Sequence, residues 1–194
     1  MDSKEGEKLV RFARETVENY LNGRSRDELL RRAEEELSEF REPTGVFVTI
    51  NIQRELRGCI GYPEPVYPLN DALVLSAIAA ATEDPRFLPI DTEDLERVTF
   101  EITILTNPQK IECETPGELV QLIEVGRDGL IAEKGQYRGL LLPQVPAEWG
   151  WDAEEFLSQT CRKAGMPKNE WRKNTVTFYK FQGEIFREKE SKEK

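Results

Sequence analysis

The chain has no histidine in 194 residues, which removes the Ser–His and Cys–His pairs that activate many enzymatic nucleophiles, together with imidazole metal ligands. Cysteine is scarce. Cys59, Cys113 and Cys161 are an odd number at wide spacing, a pattern of reduced cytoplasmic thiols rather than a disulfide framework. Without a Cys-x-x-Cys pair, no structural zinc site is expected. Positive charge is in deficit: 27 Lys and Arg stand against 37 Asp and Glu, a formal net charge of −10. A nucleic-acid-binding protein needs a clustered basic face, so that partner class is not expected. Long apolar runs are missing as well. The longest nearly apolar stretch, residues 72–81, falls short of the roughly 20 residues of a membrane span. Met1 to Lys8 is charged where a signal peptide would be apolar, so a cytoplasmic location is expected.

What is present is a charged chain, 33% Asp, Glu, Lys and Arg. It is long enough to bury roughly 70% of its unfolded surface. Leu9, Phe12, Ala13, Thr16, Val17, Tyr20 and Leu21 recur at helical spacing up to Asn22-Gly23 and predict a first helix. Ser25 with Glu28 reads as a capping box that opens a second, presenting Leu29, Leu30, Ala33 and Leu37. Residues 46–50 are a β-branched strand; polar residues 51–55 predict a hairpin turn, and the chain returns through Leu56-Arg57-Gly58-Cys59-Ile60. Pro63, Pro65 and Pro68 enforce a loop, and residues 71–82 form an alanine-rich helix able to approach a neighbour closely. Asp84-Pro85-Arg86-Phe87-Leu88-Pro89 is a stiff connection.

Further on, Phe100, Ile102 and Ile104 alternate with polar residues as in a half-buried strand. Thr115-Pro116-Gly117-Glu118 starts a helix with a cap and a reciprocal acid. A hairpin follows, with strands at 130–133 and 137–142 about Lys134-Gly135. Asp152 with Glu155 opens a helix that Gly165 closes, residues 175–181 are a last strand, and 188–194 read as a charged, fraying tail. Strands joined by short turns, punctuated by helices without regular alternation, predict an α+β fold: a largely antiparallel β-sheet flanked by helices.

Cys59 is the first candidate for chemistry. On a strand, Arg57 would share its face and place a cation beside the sulfur, while Gly58 and Gly61 would admit a ligand to the backbone. A small buried cysteine between packing glycines is the competing structural reading. Arg86 offers a planar fork to an anion or a partner to Asp84 or Asp91, with Phe87 alongside. Glu101, on a polar strand face, and Glu148 are fallback bases. Trp149 and Trp151, after a proline-stiffened segment, would line a pocket, meet a partner or plug a core.

Leu56-Arg57-Gly58-Cys59-Ile60-Gly61 matches the signature hexapeptide of the AMMECR family, named for the AMME syndrome chromosomal region. Asp84-x-Arg86-Phe87-x-Pro89, Leu141-Leu142-Pro143-Gln144-Val145, and Trp151-Asp152 through Lys163-Ala164-Gly165 are similar to further family blocks, in order, from about Pro43 to Gly165. The resemblance implies one domain over 1–194, built as two unequal interleaved subdomains with the hexapeptide near a cleft; a smaller subdomain is expected around 112–150. It implies an unknown small-molecule or protein partner, Memo-like and radical-SAM proteins being associated with microbial members. It implies no established reaction and leaves the cofactor unknown. Some relatives carry a histidine before the Gly-Leu-Leu-Leu-Pro block where this chain has Arg138, so no mechanism through that histidine is expected.

Two functions follow as expectations. In the first, Cys59 is a nucleophile or covalent-adduct site, Arg57 and Arg86 stabilise an anionic substrate or oxyanion, and Gly58, Gly61, Asp84, Phe87, Glu101, Arg138, Gln144, Trp149 and Trp151 shape the binding surface. In the second, the chain is a non-catalytic interaction module or accessory subunit that docks through the Trp149/Trp151 region.

Overall fold

The structure, a computed structural model, describes residues 1–188, which form six α-helices and two antiparallel four-stranded sheets. They divide into two compact units, Met1–Leu105 with the stretch from Glu184, and Thr106–Gly183.

In the first unit, α1 (Ser3–Leu21) begins at Asp2 and α2 (Arg26–Glu36) at Ser25, each with a reciprocal capping box through the acid three residues on. Strand β1 (Val46–Ile52) turns into β2 (Glu55–Tyr62) through Gln53 and Arg54 alone. Both residues take positive φ, 52° and 69°, the twist that suits a two-residue hairpin turn, without the usual Gly or Asn. The sheet order is β2-β1-β3-β8, with β3 spanning Val98–Leu105 and β8 Gly183–Arg187. Val46, Val48, Ile50, Phe100, Ile102 and Ile104 are buried on one face, which joins α1 and α3 (Leu69–Thr82) in one core. The alanines of α3 do bring it close: a Cβ on Gly58 would lie 2.0 Å from the Ala80 carbonyl oxygen. Strand β8 had no counterpart in the sequence reading, and Glu188, expected in a fraying tail, is held. Its carboxylate accepts from Arg14 Nη2 and from the Phe100 N–H, both at 2.9 Å. The rest of that tail lies outside the described residues.

In the second unit the order is β4-β7-β5-β6, with β4 at Gln109–Lys110, β5 at Gly129–Lys134, β6 at Tyr137–Leu141 and β7 at Thr177–Phe181. Helix α4 (Pro116–Gln121) has the expected Thr115 cap, but Glu118 reaches back to the Glu114 N–H instead of completing the box. Residues read as loop from sequence form α5 (Gln144–Trp149); Pro146 sits within its first turn, where helical N–H groups have no partner to lose. Helix α6 (Ala153–Lys163), capped by Asp152, buries Phe156, Leu157 and Cys161 against Leu130, Trp171 and Phe178.

Candidate functional site

The hexapeptide lies on β2, an edge strand of the first sheet. Its register holds one irregularity. Ile52 pairs with Glu55 and Asn51 with Leu56, but Ile50 pairs with Gly58 and Thr49 with Cys59, so Arg57 is a bulge residue. An unbulged hairpin would oppose Arg57 to Ile50 and turn its charge into the core. The bulge puts Gly58 there instead, where only a residue without a Cβ fits under Ala80. Gly61 is equally confined, since a Cβ there would meet the Val46 carbonyl oxygen at 2.2 Å. The space over both glycines is therefore filled by the chain's own backbone.

Cys59 points to the opposite face from Gly58 and is partly exposed. Thr49, directly across on β1, places its Oγ1 3.3 Å from the sulfur. Next in the row on β3 is Glu101, whose carboxylate is ion-paired with Arg187 of β8. Directly paired residues share a sheet face, so Cys59, Thr49 and Glu101 form one row across three strands.

The backbone of Cys59 is fixed from the side. Its N–H donates to Asp84 Oδ2 at 2.9 Å, and its carbonyl accepts from Arg86 Nη2 at 3.3 Å. Both groups thus face the free edge, which makes Thr49–Cys59 a non-hydrogen-bonded pair, the kind whose side chains approach most closely. Asp84 also accepts from Arg86 Nε at 2.9 Å, Nη2 at 2.7 Å and the Arg86 backbone N–H at 3.1 Å. The Asp84 side chain is 2% exposed and that of Arg86 53%. The Arg86 guanidinium, opposed by burial and helped by backbone N–H groups, holds the Asp84 carboxyl far below the usual carboxylate range. Arg86 is raised in turn, chiefly by its bond to Asp84 and also by the Asp84 charge. Phe87 lies under the guanidinium at 5.4 Å. The Nη1 edge of Arg86 takes no part in these bonds.

Arg57 does not take the place expected for it beside the sulfur: its guanidinium donates to the Leu88 carbonyl, and Arg86 supplies the nearby cation. The structure thus joins Cys59, Asp84, Arg86 and Phe87, with Glu101 one residue further along the row. Thr49 was missed by sequence reasoning, because only the bulged register brings it opposite Cys59.

Arg138, Gln144, Glu148, Trp149 and Trp151 belong to the second unit. Arg138 is ion-paired with Glu133, and Gln144 and Glu148 are exposed on α5. Trp149, 70% exposed, stacks on Trp151 at 6.2 Å, while Trp151 packs on the core. Of the other thiols, burial pushes Cys161 up to about 11, and burial with the charges of Glu118 and Glu112 raises Cys113. Neither is a ready nucleophile.

A model of the AMMECR1 family matches residues 10–186. A protein of Methanothermobacter thermautotrophicus is 50% identical over 184 residues, covering 95% of this chain and 94% of that protein. One from Thermococcus gammatolerans is 52% identical over 189 residues, covering 94% and 90%. The crystal structure of an uncharacterised protein, PH0010 from Pyrococcus horikoshii, superposes with a TM-score of 0.78 at 46% identity, over 97% of this chain and 94% of that one.

Proposed function

The chain belongs to the AMMECR1 family, and we propose that within that frame it is a thiol-dependent enzyme acting on a small anionic carbonyl compound. The observation that carries this reading is the setting of Cys59. Its sulfur stands on a sheet face against a hydroxyl, its backbone is clamped by Asp84 and Arg86, and Arg86 keeps one edge free for an anion. In the reaction the thiol proton leaves to water, since Glu101 is committed to Arg187. The sulfur then attacks the carbonyl carbon, an S–C bond forms, and the π pair moves to oxygen, which takes a proton from water. Net, S–H adds across C=O. Arg86 draws the substrate's anionic group and lowers the charge penalty as the oxyanion develops. Asp84 has a positioning role: it holds both the Cys59 N–H and the Arg86 fork.

Alkylation of the native protein, read by peptide mass spectrometry, tests this. Cys59 is expected to react before Cys113 and Cys161. Iodoacetate is expected to gain on neutral iodoacetamide relative to the same ratio for a free thiol. Arg86→Gln removes that gain, while Arg57→Gln keeps it. A Cys59 that stays protected until the protein is unfolded would end the proposal.

Exposed Trp149 supports a second reading, docking of a partner protein on the second unit. It needs no chemistry at Cys59.

A further inference from the structure

Among the described residues, Thr49 is the one side chain that hydrogen-bonds the Cys59 sulfur. We infer that Thr49 is a positioning residue of the thiol site, its hydroxyl bonding the sulfur and aiming it along the open sheet face. The inference rests on the thiol reading above and adds to it a residue outside the hexapeptide and outside the Asp84–Phe87 segment. Three features of the structure support it. The Thr49–Cys59 pair is non-hydrogen-bonded, so the two side chains are at their closest. Thr49 is β-branched, and its stiff χ1 fixes the hydroxyl rather than letting it wander. Its other neighbour in the row, Glu101, is engaged by Arg187, leaving the hydroxyl to the sulfur.

The chemistry is asymmetric in the needed direction. A hydroxyl donates a stronger bond to a thiolate than to a thiol, because the acceptor carries the charge. Thr49 and Arg86 therefore act on different quantities. The hydroxyl acts on the sulfur's reactivity toward any electrophile, whereas Arg86 discriminates between charged and neutral ones.

Those two roles separate in one experiment on the full chain, with iodoacetamide and iodoacetate as probes and a urea midpoint recorded for each variant. Thr49→Val keeps the branched shape and removes the hydroxyl. Cys59 alkylation is expected to fall about tenfold with both reagents, the scale of one hydrogen bond to a charged group. The iodoacetate-to-iodoacetamide ratio stays as in the wild type, and Thr49→Ser, which keeps the hydroxyl without the branch, restores part of the rate. A folded Thr49→Val protein that reacts at the wild-type rate overturns the role of Thr49 and leaves the thiol reading standing. A Thr49→Ser protein no faster than Thr49→Val also overturns it, because the hydroxyl would then contribute nothing. A wild-type Cys59 inert in the native state overturns both the inference and the thiol reading.

Discussion

Gly58→Ala probes how β2 and α3 are held together. The added Cβ falls 2.0 Å from the Ala80 carbonyl oxygen and 3.1 Å from its carbonyl carbon. Unbonded carbon and oxygen come no closer than about 3.3 Å, so strand and helix must part by about 1.3 Å. The obstacle is backbone on both sides, and no rotamer change relieves it. Gly58 does not have positive φ, so the penalty is one of packing and not of conformation. Asp84 follows α3 by two residues, and its bond to the Cys59 N–H is 2.9 Å long. Carried with the helix, it would open to roughly 4 Å, which is no hydrogen bond. Overpacking costs about 1–3 kcal/mol, and the lost bond to a charged acceptor about 1.5–3 kcal/mol.

The expected destabilisation is thus about 3–5 kcal/mol, a large part of an ordinary domain's stability. Urea unfolding followed by far-UV circular dichroism measures it. Circular dichroism reads the first unit directly, whereas Trp149, Trp151 and Trp171 all lie in the second. Gly117→Ala is the comparison: the nearest heavy atom to its Cβ is Thr115 Oγ1 at 4.0 Å, and alanine favours α4, so it is expected to be neutral or stabilising by under about 1 kcal/mol. If Gly58→Ala unfolds within about 0.5 kcal/mol of the wild type at unchanged slope, the close-packing argument is wrong.

The second unit offers a pH test and a surface test. Glu170 is held at about 2, from 4.5, first by Lys134 and then by Lys173. A depressed carboxyl stabilises the fold above its unfolded value, and that contribution is lost as pH falls from about 4.5 to about 2. Tryptophan-monitored stability is expected to drop through that window in the wild type and to lose that component of the slope in Glu170→Gln; identical slopes would refute the assignment. Trp149→Ser is expected to shift stability by under about 0.5 kcal/mol, since the ring is 70% exposed, while abolishing capture of a docking partner from cell extract. Equal capture by wild type and variant would remove Trp149 from any docking surface.

Helix α1 was legible from its apolar spacing and its Asn22-Gly23 stop, α2 from its spacing and capping box, α6 from its Asp152 cap and Gly165 stop, and α3 from an alanine-rich apolar run with no capping side chain. The strands β1 and β3 were legible from β-branched alternation. Elements that depend on tertiary partners were not. Strand β8 exists through its pairing beside β3, and α5 begins in a segment whose prolines read as loop. At the site, the sequence marked Cys59 and the Asp84–Phe87 segment separately. Their junction needs α3 to carry Asp84 back to β2, a distance of 25 residues that no local pattern encodes. The error over Arg57 and the omission of Thr49 share one cause. Gln53 and Arg54 carry no turn signature, and counting strand partners from them without the bulge sets Thr49 opposite Gly58. One extra residue moves every partner beyond it.

The packing and chemical readings of the hexapeptide are not rivals, because they fall on different atoms. Gly58 and Gly61 are required by the backbone of Ala80 and Val46. The N–H and carbonyl of Cys59 are claimed by Asp84 and Arg86, which close the free edge of β2 as a neighbouring strand would. On the hexapeptide's side every one of those contacts is made by main chain, and an alanine or serine at position 59 would satisfy them as well. What they do not explain is the sulfur. It stands on the face away from the core, against a hydroxyl and near a guanidinium with an uncommitted edge. An edge-closing pair also immobilises whatever side chain the clamped residue carries, and a nucleophile held still is worth more to a reaction than one that must be ordered on binding. The rigidity that packing supplies is the condition the proposed chemistry needs.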